Sequence, residues 1–232
     1  SIQQQLEKTR AAYQDDINKK ERDLRTAEQD LTQQRAVLAP EAFQQRRRDF
    51  ETRVAEIRAS VAAGAKEIDI VITRGHVLRG DWDALYDEVR TFRDACGAAH
   101  MKAILGTGEL GTLTNVARAS MVAMMAGTDF IKTSTGKEPV NATLPVSLVM
   151  ARMIRSYFET TGFAVGYKPA GGIRSAKNAL EYLYVIKEEL GDRWLRPDLF
   201  RFGASGLLTD IERQLEHFAT GRYSATHRQP MV

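Results

Sequence analysis

Two rhythms of apolar residues divide the chain near residue 50. In the first part, Leu6, Tyr13, Ile17, Leu24, Ala27, Leu31 and Leu38 occupy the a and d positions of one heptad register. Such a narrow stripe predicts a helix that must close a seam against another helix. Lys20 and Gln34 interrupt the stripe. Pro40 suits the first turn of a new helix, and Phe43, Phe50 and Ile57 then repeat at seven with Val54 between them. The segment therefore reads as a helical hairpin turning near residues 38–41.

From Glu51 onward, short apolar runs alternate with amphipathic stretches, and each run closes in small or polar residues. This is the pattern of repeated strand–helix units. It predicts helix 51–63, strand 67–72, helix 81–96, strand 101–105, helix 112–126, strand 129–133, helix 144–160, strand 163–168, helix 175–190, strand 199–203 and helix 207–219. A closed barrel of this kind has eight strands in about 250 residues, so five strands leave it about three short. The expected fold class is α/β: a (β/α) barrel of the TIM type lacking its first three strands, preceded by a helical coiled-coil segment. The expected boundaries are residues 1–50 for the arm and 51–232 for the βα domain.

Composition sharpens that division. Residues 1–50 hold no glycine, one proline and nine glutamines, and all 17 glycines lie from Gly64 onward. With 43% hydrophobic and 27% charged residues, the chain falls outside the collagen-like, low-complexity and wholly disordered classes. A net charge of +3 is too small to predict a nucleic-acid partner, and the one basic run, Arg46 to Arg48, reads as a solvated helix face. No apolar run is long enough to span a bilayer, so no membrane partner is expected, and the N-terminus lacks the order of a signal peptide. The single cysteine, Cys96, cannot form an intrachain disulfide, and the four histidines form no metal-spaced cluster. A cytoplasmic location follows as the expectation.

In parallel strand–helix repeats, reactive groups gather at the carboxyl ends of the strands. Four such ends carry chemistry. Lys132 lies inside the apolar run of Phe130-Ile131-Lys132-Thr133-Ser134-Thr135-Gly136-Lys137. Burial disfavours an ammonium group, as an amine nucleophile requires, although strand lysines are as often ion-paired or snorkelling. Lys168 ends the next strand in Gly166-Tyr167-Lys168-Pro169-Ala170-Gly171-Gly172-Ile173-Arg174. Placed side by side, two ammonium groups repel, and the lower-energy arrangement leaves one amine neutral and able to attack a carbonyl. In the strand Glu67-Ile68-Asp69-Ile70 the two acids alternate and share a face. Asp69 there suits either proton transfer or a structural salt bridge to a barrel lysine such as Lys102. Finally, Gly171, Gly172, Gly203, Ser205 and Gly206 cluster at the ends of the last two strands, where backbone N–H groups can approach an anion. Together with the two lysines they point to a phosphorylated carbonyl substrate.

The motifs FIKTSTGK, GYKPAGGIR and RFGAS resemble those of the 2-deoxyribose-5-phosphate aldolase family, class I aldolases on a (β/α)8 barrel, and the resemblance runs from about Glu51 to the C-terminus. It implies reversible cleavage of 2-deoxyribose 5-phosphate, a small phosphorylated sugar, to glyceraldehyde 3-phosphate and acetaldehyde, with no cofactor and no metal. It also implies that Lys132 is the Schiff-base nucleophile, that Lys168 perturbs its ionisation, and that Asp69 serves a proton relay. Gly171, Gly172 and Ser205 match phosphate-contacting positions, with Gly203, Gly206 and Lys137 in the same region and Lys102 and Thr135 as further pocket residues. Gly206 stands where the family usually has a second serine, and the family's first three strands have no counterpart. Residues 3–55 resemble, less specifically, the helical arms of the periplasmic Skp/OmpH chaperone family. Glu51 to Ile57 fits both patterns, as the junction of a chimera would. The competing function is therefore a non-catalytic oligomerising or chaperone-like protein carrying an aldolase remnant. In either case the unpaired apolar seam and the open sheet edge predict a homo-oligomer.

Overall fold

The computed structural model describes residues 44–225 other than Arg46. The heptad stripe, the turn near 38–41 and the segment resembling Skp/OmpH up to that point lie outside the described residues. The chain divides into two compact units, Ser1–Ala55 and Glu56–Val232. A helix, α1, runs over residues 47–62, where the heptad spacing and the βα reading overlap.

Within the second unit the order is β1 (Glu67–Val71), α2 (Arg74–Arg79), α3 (Trp82–Cys96), β2 (His100–Ile104), α4 (Leu113–Met125), β3 (Phe130–Lys132), α5 (Leu144–Thr161), β4 (Gly166–Lys168), α6 (Ala176–Leu190) and α7 (Leu207–Thr220). The sheet is parallel in the order β1-β2-β3-β4. The helices between the strands start where short polar side chains can cap them. Thr112, Thr143 and Ser175 each accept a hydrogen bond from the backbone N–H three residues on, at 3.1, 3.4 and 3.2 Å, which satisfies a donor the helix would otherwise leave open. Helix α5 ends at Gly162 in the left-handed region, φ 76°, a conformation that costs glycine little.

Alternation along the strands sorts the two faces. Ile68, Ile70, Met101, Ala103, Ile131 and Tyr167 are buried, and the Tyr167 hydroxyl donates to Ser147 of α5 at 2.6 Å, so this face carries the apolar core. Glu67, Asp69, Lys102, Lys132 and Lys168 have the opposite parity. On that inner face Gly166 leaves room for the Phe130 ring, which a Cβ at position 166 would run into. Gly166→Ala is expected to destabilise the protein by about 1–3 kcal/mol through overpacking. Calorimetry would show a midpoint about 5 °C lower, whereas an unchanged midpoint would mean that the ring can move aside.

Two expectations need correction. The fifth strand, 199–203, is not a continuous strand: it forms two isolated parallel bridges, Phe200 with Tyr167 of β4 and Gly203 with Ala170 just after it. Between the two bridges stands Pro169, which accepts from Gly203 N–H but has no N–H of its own to donate, so the ladder is interrupted there. The second is α2, a helix where the pattern predicts none, because six residues hold too little periodicity to register. The five-strand arc is nevertheless curled. At about 4.8 Å per strand, a flat sheet would hold β1 and residues 199–203 about 19 Å apart. Instead Arg201 Nη1 donates to both Glu67 carboxylate oxygens, at 2.6 and 2.7 Å. Only a sheet rolled toward a barrel can make that contact.

Candidate active site

Sheet register brings the two strand lysines together. Lys132 on β3 is directly opposite Lys168 on β4, and Asp69 on β1 is opposite Lys102 on β2. The curl then carries Asp69 across to the lysine pair. Its Oδ2 lies 2.9 Å from Lys132 Nζ and 3.6 Å from Lys168 Nζ, while Oδ1 lies 3.0 Å from Lys102 Nζ. Lys102 is also 2.7 Å from Glu67. The two roles open to Asp69 therefore coexist in one carboxylate: it pairs with Lys102 and touches both candidate catalytic lysines.

Burial and charge set the protonation of this cluster. Burial works against the Asp69 charge, but hydrogen bonds from Lys132 and Lys102 outweigh it and bring the carboxyl down from its ordinary 3.8 to about 2. Glu67 is brought down to about 2, first by its hydrogen bonds from Arg201 and Lys102. Lys168 is shifted the other way. Burial, the largest influence, lowers its affinity for a proton, Asp69 opposes that, and the charges of Lys132 and Lys102 add to the lowering. Four basic and two acidic side chains share this inner face, and the basic excess favours an anionic ligand.

Beyond the strand ends lies a cavity of about 370 Å³. Three loops line it: Thr135, Gly136 and Lys137 after β3; Gly171, Gly172 and Arg174 after β4; and Gly203, Ser205 and Gly206 before α7. Every phosphate-site residue expected from the sequence borders this space, as does Thr135, whereas Lys132, Lys168, Asp69 and Lys102 are not among its lining residues. Gly171 and Gly172 have φ of 82° and 84°, where a side chain would be strained. Gly203 is fixed by contact: an added Cβ would lie 2.6 Å from that of Ala170 and 3.6 Å from Lys168 Cε. Unlike α3 to α6, α7 begins at Gly206 without a side-chain cap. Its first N–H groups, at the positive end of the helix dipole, are thus not spent on a cap beside the cavity. Among the described residues no group of three or more His, Cys, Asp or Glu is placed to hold a metal ion.

A lysine pair on one carboxylate, with a glycine-lined cavity in the loops after the same strands, is suited to carbonyl chemistry on an anionic substrate. The sequence matches the profile of the DeoC/LacD family aldolases over residues 4–210. The chain belongs to this family. It is 66% identical over 182 residues to deoxyribose-phosphate aldolase of Homo sapiens, covering 78% of this chain and 57% of that protein. The enzyme of the same name from Bos taurus gives the same identity and coverage. The chain thus spans little more than half the length of these curated relatives. Among solved structures, the aldolase QR15 superposes with a TM-score of 0.56 at 26% identity, over 74% of this chain and 69% of that one. The tetrameric deoxyribose phosphate aldolase of Aeropyrum pernix gives 0.56 at 23%, over 75% and 63%. The family fold is the TIM-type α/β barrel, of which the described residues form a four-stranded parallel sheet extended by two bridges.

Three neighbours of the site lie outside the sequence motifs' evident chemistry. Arg201 pairs with Glu67 across the arc; its parity with Gly203 was the available signal. Arg174 follows the glycine pair and lines the cavity. Glu138 accepts from the loop after β3, and the spacing Thr135-x-x-Glu138 matches a capping box in a stretch where no helix follows.

Proposed function

We propose that this chain carries out reversible aldol cleavage of 2-deoxy-D-ribose 5-phosphate to D-glyceraldehyde 3-phosphate and acetaldehyde. The observation that carries the reading is the register pairing of Lys132 with Lys168 over the shared Asp69 carboxylate. The names borne by its 66%-identical relatives support the same reaction over an oligomerising or chaperone-like role.

The proposed steps begin with the neutral amine of Lys132 attacking C1 of the open-chain sugar aldehyde. Loss of water from the carbinolamine gives a protonated imine. Removal of the C3 hydroxyl proton lets the C2–C3 bond break. Its electron pair moves into the imine to form an enamine, and C3 leaves as the aldehyde of glyceraldehyde 3-phosphate. Protonation of the enamine at C2 and addition of water release acetaldehyde and restore the Lys132 amine. Lys168, directly opposite in register and 3.6 Å from the same carboxylate oxygen, is the basic neighbour of that amine. Asp69, with Lys102 on its other oxygen, is placed to pass protons to and from the reacting atoms. The cavity beyond the strand ends takes the 5-phosphate on backbone N–H groups, Ser205 and Lys137, with no cofactor in the cycle.

The full chain is the enzyme in this reading, working as a homo-oligomer, which the tetrameric state of the Aeropyrum pernix aldolase supports. The single buried cysteine, Cys96, fits a reducing cytoplasm. The test is direct: the purified 232-residue chain with 2-deoxyribose 5-phosphate should produce acetaldehyde, read through NADH oxidation by added alcohol dehydrogenase. Absence of acetaldehyde across pH 6–9 would reject the activity.

A further inference from the structure

The carboxylate of Glu138 sits inside the loop that follows β3. Thr135 N–H donates to both of its oxygens at 3.0 Å, and the Thr135 hydroxyl donates at 2.8 Å. The N–H groups of Gly136 and Lys137 donate to Oε2 at 3.1 and 3.2 Å. Burial disfavours this charge, but the bonds from Thr135 and Gly136 prevail and hold the carboxyl below its usual range. Three successive backbone donors around one anion form a nest of the kind found at helix starts. Here the nest is filled by the chain itself, and Glu138 is not among the residues lining the cavity that Thr135, Gly136 and Lys137 face.

The same residue reaches the neighbouring loop. Its carbonyl accepts from Asn141 Nδ2 at 2.8 Å, and the Asn141 side chain lies against Gly171, where an added Cβ would come within 2.6 Å of it. Gly171 Cα in turn lies 3.8 Å from where a Cβ of Gly136 would stand. Glu138 and Asn141 thus brace the loop after β3 against the loop after β4.

We propose that Glu138 is a positioning residue for the substrate's phosphate group: by tying down Thr135, Gly136 and Lys137 and, through Asn141, Gly171, it sets the width of the phosphate cradle and aims Lys137 over it. This rests on the reading of that cavity as the phosphate site. It makes a prediction opposed to simple electrostatics. A carboxylate beside an anion site repels the anion, so charge alone says that Glu138→Gln should tighten phosphate binding. A brace says that it should loosen it, since the amide cannot accept the same set of charge-assisted bonds.

The experiment compares the full chain with its Glu138→Gln variant, using 2-deoxyribose 5-phosphate, unphosphorylated 2-deoxyribose and inorganic phosphate as inhibitor. The expected result is a rise in KM for the phosphorylated sugar and in Ki for phosphate of about tenfold, with kcat little changed. The ratio of kcat/KM between the two sugars should fall by a similar factor. Glu138→Asp, which keeps the charge on a shorter stem, should recover part of the loss. Tighter phosphate binding in Glu138→Gln would overturn the proposal in favour of plain repulsion. Equal losses on both sugars would reduce Glu138 to a general structural role and also overturn it. Failure of phosphate to inhibit even the unaltered chain would instead reject the phosphate site on which the proposal rests.

Discussion

Lys132→Ala is expected to lower kcat/KM for 2-deoxyribose 5-phosphate by about 10⁵-fold, a loss of about 7 kcal/mol of transition-state stabilisation. The reason is chemical: no other group replaces the covalent electron sink that an imine provides. Lys168 is next in line, directly opposite in register and also within reach of Asp69, but taking over would require the substrate to shift by one strand spacing. Lys132→Arg separates charge from nucleophilicity. It keeps a cation beside Asp69, which Lys132 now contacts at 2.9 Å, yet guanidinium does not form the imine, so the loss should be nearly as large. A reduction of less than tenfold in either variant would move the nucleophile elsewhere.

The second large effect is expected at Asp69. Asp69→Asn should reduce kcat/KM by about 10²- to 10⁴-fold, the usual contribution of a positioned proton-transfer group, and it should move the pH profile. Burial already lowers the proton affinity of Lys168, and the Asp69 charge is what opposes that lowering. Without the charge, Lys168 loses its proton at lower pH, so the alkaline limb of kcat/KM should shift toward acid. A shift toward alkali would contradict the geometry. Stability should respond too. A carboxyl held at about 2 rather than 3.8 contributes at most about 2 kcal/mol, discounted because its side chain is 32% exposed. That contribution is complete above the unfolded value and is lost as pH falls toward 2. Between pH 4 and pH 2 the unaltered protein should therefore lose more stability than Asp69→Asn.

Much of this architecture is legible in the order of residues. Thr112, Thr143 and Ser175 are capping residues ahead of amphipathic runs, and each starts a helix within a residue of where the pattern places it. The alternation Glu67-Ile68-Asp69-Ile70 puts both acids on one face, and burial follows it. Lys132 and Lys168 can be set on neighbouring strands because one βα unit separates them. What escapes is information not carried by local period. The Arg201 to Glu67 contact joins residues 134 apart in sequence, and it depends on how far the sheet curls. Glu138 escapes because its capping-box spacing precedes an irregular loop, where hydrophobic periodicity is silent. Residues 199–203 look like a strand because the run Leu199-Phe200-Arg201-Phe202 alternates, but Pro169 opposite has no N–H to donate and splits the pairing into two bridges.

The covalent intermediate offers the most direct test. The full chain is incubated with acetaldehyde and sodium borohydride, which reduces an imine to a stable N-ethyl amine, and is then weighed intact and mapped by peptide. One added ethyl group, about 28 Da, located on Lys132 and absent from Lys132→Ala, is the expected result. No adduct, or an adduct on Lys168 or Lys102 with Lys132 unmodified, would contradict it.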